Sequence, residues 1–263
     1  MARIHDDGAI PRQLQLVAEL GPRQVVDYAR RFGLGDSEPY LSLALGASEA
    51  TLVDITSAYS AFVNHGVRMT PYSVVTVTDR DGNLLEERRP EPHEAIRADT
   101  AFVMTNLLRG VVQRGTAASA AALDWPLGGK TGTMDEYTDA WFVGFDPNIT
   151  VGVWVGYDEK KSLGSGETGA SAALPMWIEF MRAYIDTRAD RKNPPTFEPP
   201  GNIVFLTLDS GIREAFINGT QPQAPIEPGA PAAVPAVPAA APVVSTAPAA
   251  PSAPAAAVAP GVD

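Results

Sequence analysis

Cysteine is absent from all 263 residues, which excludes disulfides and thiolate metal sites but does not identify a compartment. Lysine is almost as scarce: Lys130, Lys160, Lys161 and Lys192 are the complete set. A net charge of -11 argues against a nucleic-acid partner, because such binding needs clustered Lys and Arg to neutralise phosphates. The charge reads more simply as a solvated acidic surface. No run approaches the roughly 20 apolar residues that cross a bilayer. The start, Met1 to Asp7, has no apolar segment of the kind a secretory signal needs. The expectation is therefore that nothing in these residues exports or anchors the chain. What is present is 45% apolar and 19% charged residues, a globular balance in a chain long enough to bury a core.

The hydrophobic period sorts the chain into elements. Leu14, Val17 and Ala18 share a helical face, Gly21-Pro22 interrupts, and Val25, Ala29 and Phe32 share another. Thr51 to Asn64 predicts a helix with Leu52, Ile55, Tyr59, Phe62 and Val63 on one stripe and Gly66 as its stop. Tyr72 to Glu87 reads as a hairpin turning at Asp81-Gly82. Thr100 to Val112 is helical again, with Met104, Leu107, Leu108 and Val111 expected inward. The period then changes to two. Pro126 to Thr133, Asp139 to Phe145 and Ile149 to Tyr157 predict three short strands, and the last puts Ile149, Val151, Val153, Val155 and Tyr157 on one face. A Gly/Ser-rich loop over 162–171 leads into a final helix striped by Leu174, Trp177, Ile178, Met181 and Ile185. Helices, then an antiparallel meander, then a covering helix predict an α+β fold with a sheet between helical layers. From Pro222 onward the chain is nearly all Ala, Pro and Val, with Glu227 and Asp263 its only charges. That composition predicts a disordered, partly polyproline-like tail over 222–263.

The run that carries chemistry is Gly128-Gly129-Lys130-Thr131-Gly132-Thr133. A phosphate loop would need a glycine six residues before the lysine, where Asp124 stands, and would open a helix whose amides face the anion. The alternating Ala140-Trp141-Phe142-Val143 that follows argues against it. The other chemistry that uses Lys-Thr-Gly is acyl transfer from D-alanyl peptides and β-lactams, on a strand edging the site. A lysine ammonium and threonine hydroxyls suit a substrate carboxylate, and glycine lets the acyl group lie against bare backbone. Asp139, Trp141 and Trp154 read as packing residues, and His65 as a surface residue at a helix end.

The neighbours of that motif resemble those of the class A bifunctional penicillin-binding proteins. The resemblance lies in Gly110-Val111-Val112-Gln113-Arg114-Gly115-Thr116 and in Asp139-Ala140-Trp141-Phe142-Val143-Gly144-Phe145. It continues through Val153-Trp154-Val155-Gly156-Tyr157-Asp158, Glu167-Thr168-Gly169 and Ala173-Leu174-Pro175-Met176-Trp177. It covers about residues 10 to 220, which makes 10–221 a partial transpeptidase domain and 1–9 a non-matching start. The resemblance implies a partial penicillin-binding, transpeptidase-like fold and serine-type acyl transfer without cofactor or metal. Lys130 would join the network of the serine, Thr131, Gly132 and Thr133 would hold the substrate, and the Thr133 N–H would serve the oxyanion. It implies stem peptide of peptidoglycan and β-lactams as partners, at the periplasmic face of the bacterial inner membrane. It also implies a strand, outside these residues, pairing with the one at 149–157.

Two further motifs of that family, S-x-x-K and S-x-N, do not occur in the chain. Three residues before the lysines stand Leu127, Tyr157, Asp158 and Ala189. Two before the asparagines stand Phe62, Asp81, Met104, Asp146, Arg191, Pro200 and Phe216. The expectation is a truncated or frameshifted reading frame that begins just past the second motif, a fragment inactive alone whose candidate partner is the missing N-terminal half of the same enzyme. The alternative is a non-catalytic module that binds stem peptide or a partner.

Overall fold

The computed structural model describes residues 12–222. The non-matching start and the expected tail beyond Pro222 lie outside those residues. Helices α1 (Arg12–Leu20) and α2 (Pro22–Arg31) are separated at Gly21, whose φ of 88° is a left-handed turn, and Pro22 opens α2 with a preset φ. Val17 and Val26 are their buried residues, whereas Ala18, expected inward, is exposed. Helix α3 (Leu52–Val63) is capped by Thr51, whose hydroxyl accepts from the Asp54 N–H at 3.1 Å. It stops at Gly66 (φ 87°), where a Cβ would lie 2.0 Å from the Ile96 carbonyl oxygen.

Short strands β1 (Val67–Met69), β2 (Thr76–Thr78), β3 (Leu84–Glu87) and β4 (Pro92–Glu94) form two antiparallel pairs, β1 with β4 and β2 with β3. The β2–β3 hairpin is shorter than its sequence pattern. A bulge interrupts it, and both faces are exposed, so little packing sustains more pairing.

Helix α4 (Ala98–Arg114) buries Ala101, Phe102, Thr105, Leu108 and Val112. Its inward stripe therefore differs from the predicted one: Leu107 is 52% exposed, while Thr105 is 2% exposed. A buried hydroxyl is tolerated here because Thr105 Oγ1 donates within 3.0 Å of both the Phe62 and Ala101 carbonyls.

Strands β5 (Gly128–Thr133), β6 (Asp139–Phe145) and β7 (Thr150–Gly156) form an antiparallel sheet in that order. Opposed residues share a face, so Phe142, Gly144, Val151 and Val153 lie together, as do Lys130, Val143 and Gly152. The first face meets α5 (Leu174–Thr187): Trp177 packs edge-on to Phe142 at 5.0 Å and donates Nε1–H to the Val151 carbonyl at 3.1 Å. The second face meets α3 and α4. A Cβ on Gly152 would lie 2.1 Å from Thr56 Oγ1, and one on Gly128 would lie 3.3 Å from the Arg109 amide. The layered α+β arrangement is the one the sequence predicts, with the Lys-Thr-Gly strand first in the meander.

After α5 comes an unpredicted hairpin, β8 (Ile203–Thr207) and β9 (Arg213–Ile217), turning through Gly211 at φ 78°. It docks on α4. Phe205 meets Phe102 edge-on at 6.1 Å, Glu214 pairs with Arg114 and accepts from Asn106 at 2.6 Å, and Asn202 donates to Asp99 at 2.7 Å. The Asn202 amide, helped by Arg97 and Thr100, holds the Asp99 carboxyl below its ordinary value despite its burial. A depressed carboxyl stabilises the fold above the unfolded-state value near 3.8, and that contribution is lost as pH falls through the folded value. Asp99→Asn should therefore be less stable than wild type at neutral pH, with the difference vanishing in denaturant melts taken from about pH 6 down to about pH 2.

Among the described residues β7 has no strand on its outer side. An open groove of about 900 Å³ follows that edge, walled by Val53 and Thr56 of α3 and Phe180 of α5. Seven residues of unpaired edge beside apolar walls are an aggregation hazard. The isolated chain is expected to aggregate or to dimerise through β7. Sedimentation at micromolar concentration checks this, and a stable monomer with a cooperative melt counts against it.

Candidate active site

Strand β5 is the other edge of the sheet, so half of its backbone N–H and C=O groups face outward. It places Gly128 and Gly129 in the core and brings Lys130 and Thr133 to the exposed surface. The motif thus lies on a strand and not at a helix N-terminus, which leaves no aligned amides for a phosphate. The Lys130 ammonium folds along the strand and donates to the Thr131 carbonyl at 2.8 Å. The Thr131 hydroxyl lies 3.0 Å from that of Thr116, and the Thr133 hydroxyl accepts from the Gly169 N–H at 3.1 Å. Gly132 stands opposite Trp141, whose Cβ would be 3.1 Å from a Cβ at position 132. The four motif residues are consecutive along this edge, with Lys130 and Gly132 on the face of Val143 and Trp141 and with Thr131 and Thr133 on the face of Phe142 and Ala140.

Two segments that carry no chemistry in the sequence shape this end. Thr116 sits where the chain leaves α4, on one face of the sheet, for a 3-10 turn (Ala118–Leu123) that packs against α5 on the other face. It passes the rim of β5 on the way. Gly169 begins a π-helical turn (Gly169–Ala173) capped by reciprocal bonds: the Thr168 N–H donates to Ser171 Oγ at 2.7 Å, and the Ser171 N–H to Thr168 Oγ1 at 3.3 Å. Only glycine permits this approach, since a Cβ at 169 would lie 2.3 Å from the Trp141 oxygen and 2.5 Å from the Gly132 oxygen. Both segments belong to runs that carry the resemblance, yet neither predicts a contact with the motif. The Thr-x-x-Ser spacing of the cap was legible, but the usual capping box ends in Glu or Gln.

The loop from β5 to β6 holds two consecutive left-handed residues, Glu136 at 63° and Tyr137 at 57°. The Leu163 N–H ties it down by donating to the Tyr137 carbonyl at 2.8 Å. The expected packing residues behave as such. The Trp154 indole N–H donates to Asp139 Oδ1 at 2.9 Å, Thr138 donates to Oδ2 at 2.8 Å, and Trp141 and Trp154 are 6.1 Å apart. His65 is exposed at the end of α3.

Known proteins resemble this chain in sequence and in fold. The penicillin binding protein transpeptidase domain matches residues 12–176. Penicillin-binding protein 1A of Aquifex aeolicus is 40% identical over 216 residues, which are 80% of this chain and 30% of that protein. Its counterpart in Rickettsia bellii is 34% identical over 236 residues, 80% of this chain and 29% of that protein. The chain thus spans under a third of the length of these relatives. The crystal structure of penicillin-binding protein 1A from Haemophilus influenzae superposes with a TM-score of 0.72 at 25% identity, covering 81% of this chain and 39% of that one. PonA1 of Mycobacterium tuberculosis in complex with penicillin V shares the fold at 23% identity, with a TM-score of 0.58, covering 71% of this chain and 56% of that one. The chain therefore belongs to the penicillin-binding protein transpeptidase family, as part of a transpeptidase domain of the penicillin-binding protein 1A kind.

Proposed function

We propose that residues 10–221 supply the carboxylate-binding and oxyanion side of a D-alanyl transpeptidase site that cross-links peptidoglycan at the periplasmic face of the inner membrane. The observation that carries the reading is the edge position of β5, along which Lys130, Thr131, Gly132 and Thr133 bring one ammonium, two hydroxyls and bare backbone to consecutive positions. In acyl transfer a serine oxygen attacks the penultimate D-alanine carbonyl, the terminal D-alanine leaves as an amine, and an acceptor amine later takes the acyl group. Lys130, Thr131 and Thr133 would neutralise the carboxylate of the leaving residue, and a β-lactam carboxylate in the same way. The Thr133 N–H would stabilise the tetrahedral oxyanion. The absence of S-x-x-K and S-x-N from these residues supports a chain that binds without acylating when alone. A module that only holds stem peptide remains the second reading on the same ground. Adding a peptide ending in D-Ala-D-Ala to the labelled protein is expected to shift the Thr131 and Thr133 amide resonances reversibly. Shifts spread evenly over the surface, or none, would remove the reading.

A further inference from the structure

The hairpin β8–β9 lies beyond residues 12–176, the stretch that matches the transpeptidase family, and it reaches the rim of β5 through α4. Asn106, Gly110 and Arg114 recur every four residues and form one stripe of that helix. Glu214 of β9 grips both ends of the stripe: its Oε2 accepts from the Asn106 side-chain amide at 2.6 Å, and its Oε1 accepts from Arg114. The Arg114 guanidinium folds back over Gly110 to get there, 3.1 Å from where a Cβ would stand. At the other end of the helix Asn202 holds Asp99 at 2.7 Å. The hairpin thus grips α4 at its first turn and at its last.

Two residues past Arg114 stands Thr116, whose hydroxyl lies 3.0 Å from that of Thr131. The link between them is short and bonded: the Gly115 and Ala117 N–H groups both donate to the Val111 carbonyl, at 3.0 and 3.2 Å. Where the last turn of α4 sits therefore decides where Thr116 meets β5. We infer that Glu214 is a positioning residue. It fixes the last turn of α4, and through Thr116 it sets the rim of the motif strand, so an element outside the matched residues shapes the candidate site. The Glu214 side chain is mostly covered, at 16% exposed, and a charge-assisted bond holds more firmly than a neutral one. What that rim does for a ligand rests on the reading of β5 as the D-alanyl site.

The test uses the full 263-residue chain, isotope-labelled and titrated with a peptide ending in D-Ala-D-Ala. Glu214→Ala should move the Thr116 and Thr131 amide resonances, speed hydrogen exchange at Gly115 and Ala117, and weaken the peptide about fivefold, the low end of coupling between separate sites. Glu214→Gln keeps an acceptor without the charge. It should move the same resonances less, and it carries the comparison if the alanine variant does not fold. Asn202→Ala loosens the hairpin at the opposite end of α4 and should leave the Thr131 resonance and the peptide affinity as in wild type. That contrast separates positioning from general loosening. If the Glu214 variants leave the Thr131 resonance in place, or Asn202→Ala moves it as far, the inference is wrong and the reading of β5 stands. If wild type does not bind the peptide, the reading of β5 falls, and the Thr131 resonance still shows whether the hairpin reaches the strand.

Discussion

Incubated with a fluorescent penicillin, the chain is expected to run unlabelled on a denaturing gel, whatever its concentration or the time allowed. Acylation needs a serine activated by a lysine at the S-x-x-K spacing, and Leu127, Tyr157, Asp158 and Ala189 hold the four positions where that serine would stand. The donors at Lys130, Thr131 and Thr133 still allow reversible contact with a β-lactam carboxylate. Loss of the nucleophile removes the covalent step itself, so residual binding cannot restore turnover. A stoichiometric adduct that survives the gel would show a nucleophile outside that motif.

The largest stability effect is expected from Asp146→Ala. This carboxylate is fully buried in the turn between β6 and β7. It accepts from the Asn148 and Ile149 amides at 2.7 and 2.8 Å and from the Trp125 indole at 2.9 Å, which pins the loop before β5 to the far end of the sheet. Alanine takes the acceptor from the half-buried Ile149 and Trp125 donors, at a cost of about 2–4 kcal/mol, while the exposed Asn148 amide turns to water. Against a typical total of about 5–15 kcal/mol, that is a large fraction of the stability. Asp146→Asn keeps an acceptor and should fall between the two in urea melts. A loss under about 1 kcal/mol for alanine would mean that water reaches these donors.

The meander was legible because 139–145 and 149–157 are short runs rich in β-branched and aromatic residues bounded by turn residues, and its burial between two helical layers keeps both faces of β6 apolar. Helix α4 was less legible for the opposite reason. Its inner surface includes Thr105, whose hydroxyl finds carbonyl partners that no local pattern reveals, and its Leu107 is left outside. The β8–β9 hairpin carried a readable turn in Asp209-Ser210-Gly211 between apolar runs, but its docking rests on Asn202, Glu214 and Phe205 finding α4 about a hundred residues earlier. At the site, Lys130 to Thr133 could be read from residue type and spacing. Thr116 and Gly169 could not. Their roles come from where the chain rounds the rim of β5 and from backbone packing that only glycine allows.

The account's central claim is that β5 supplies part of an acylation site whose nucleophile lies in other residues. Its most direct test is penicillin labelling of a mixture of this chain with a polypeptide that carries S-x-x-K and S-x-N from the preceding part of a related protein. The account predicts no label on either polypeptide alone, label on the S-x-x-K polypeptide in the mixture, and loss of that label with Lys130→Ala. Equal labelling with and without this chain, or with Lys130 and Ala at position 130, would contradict it.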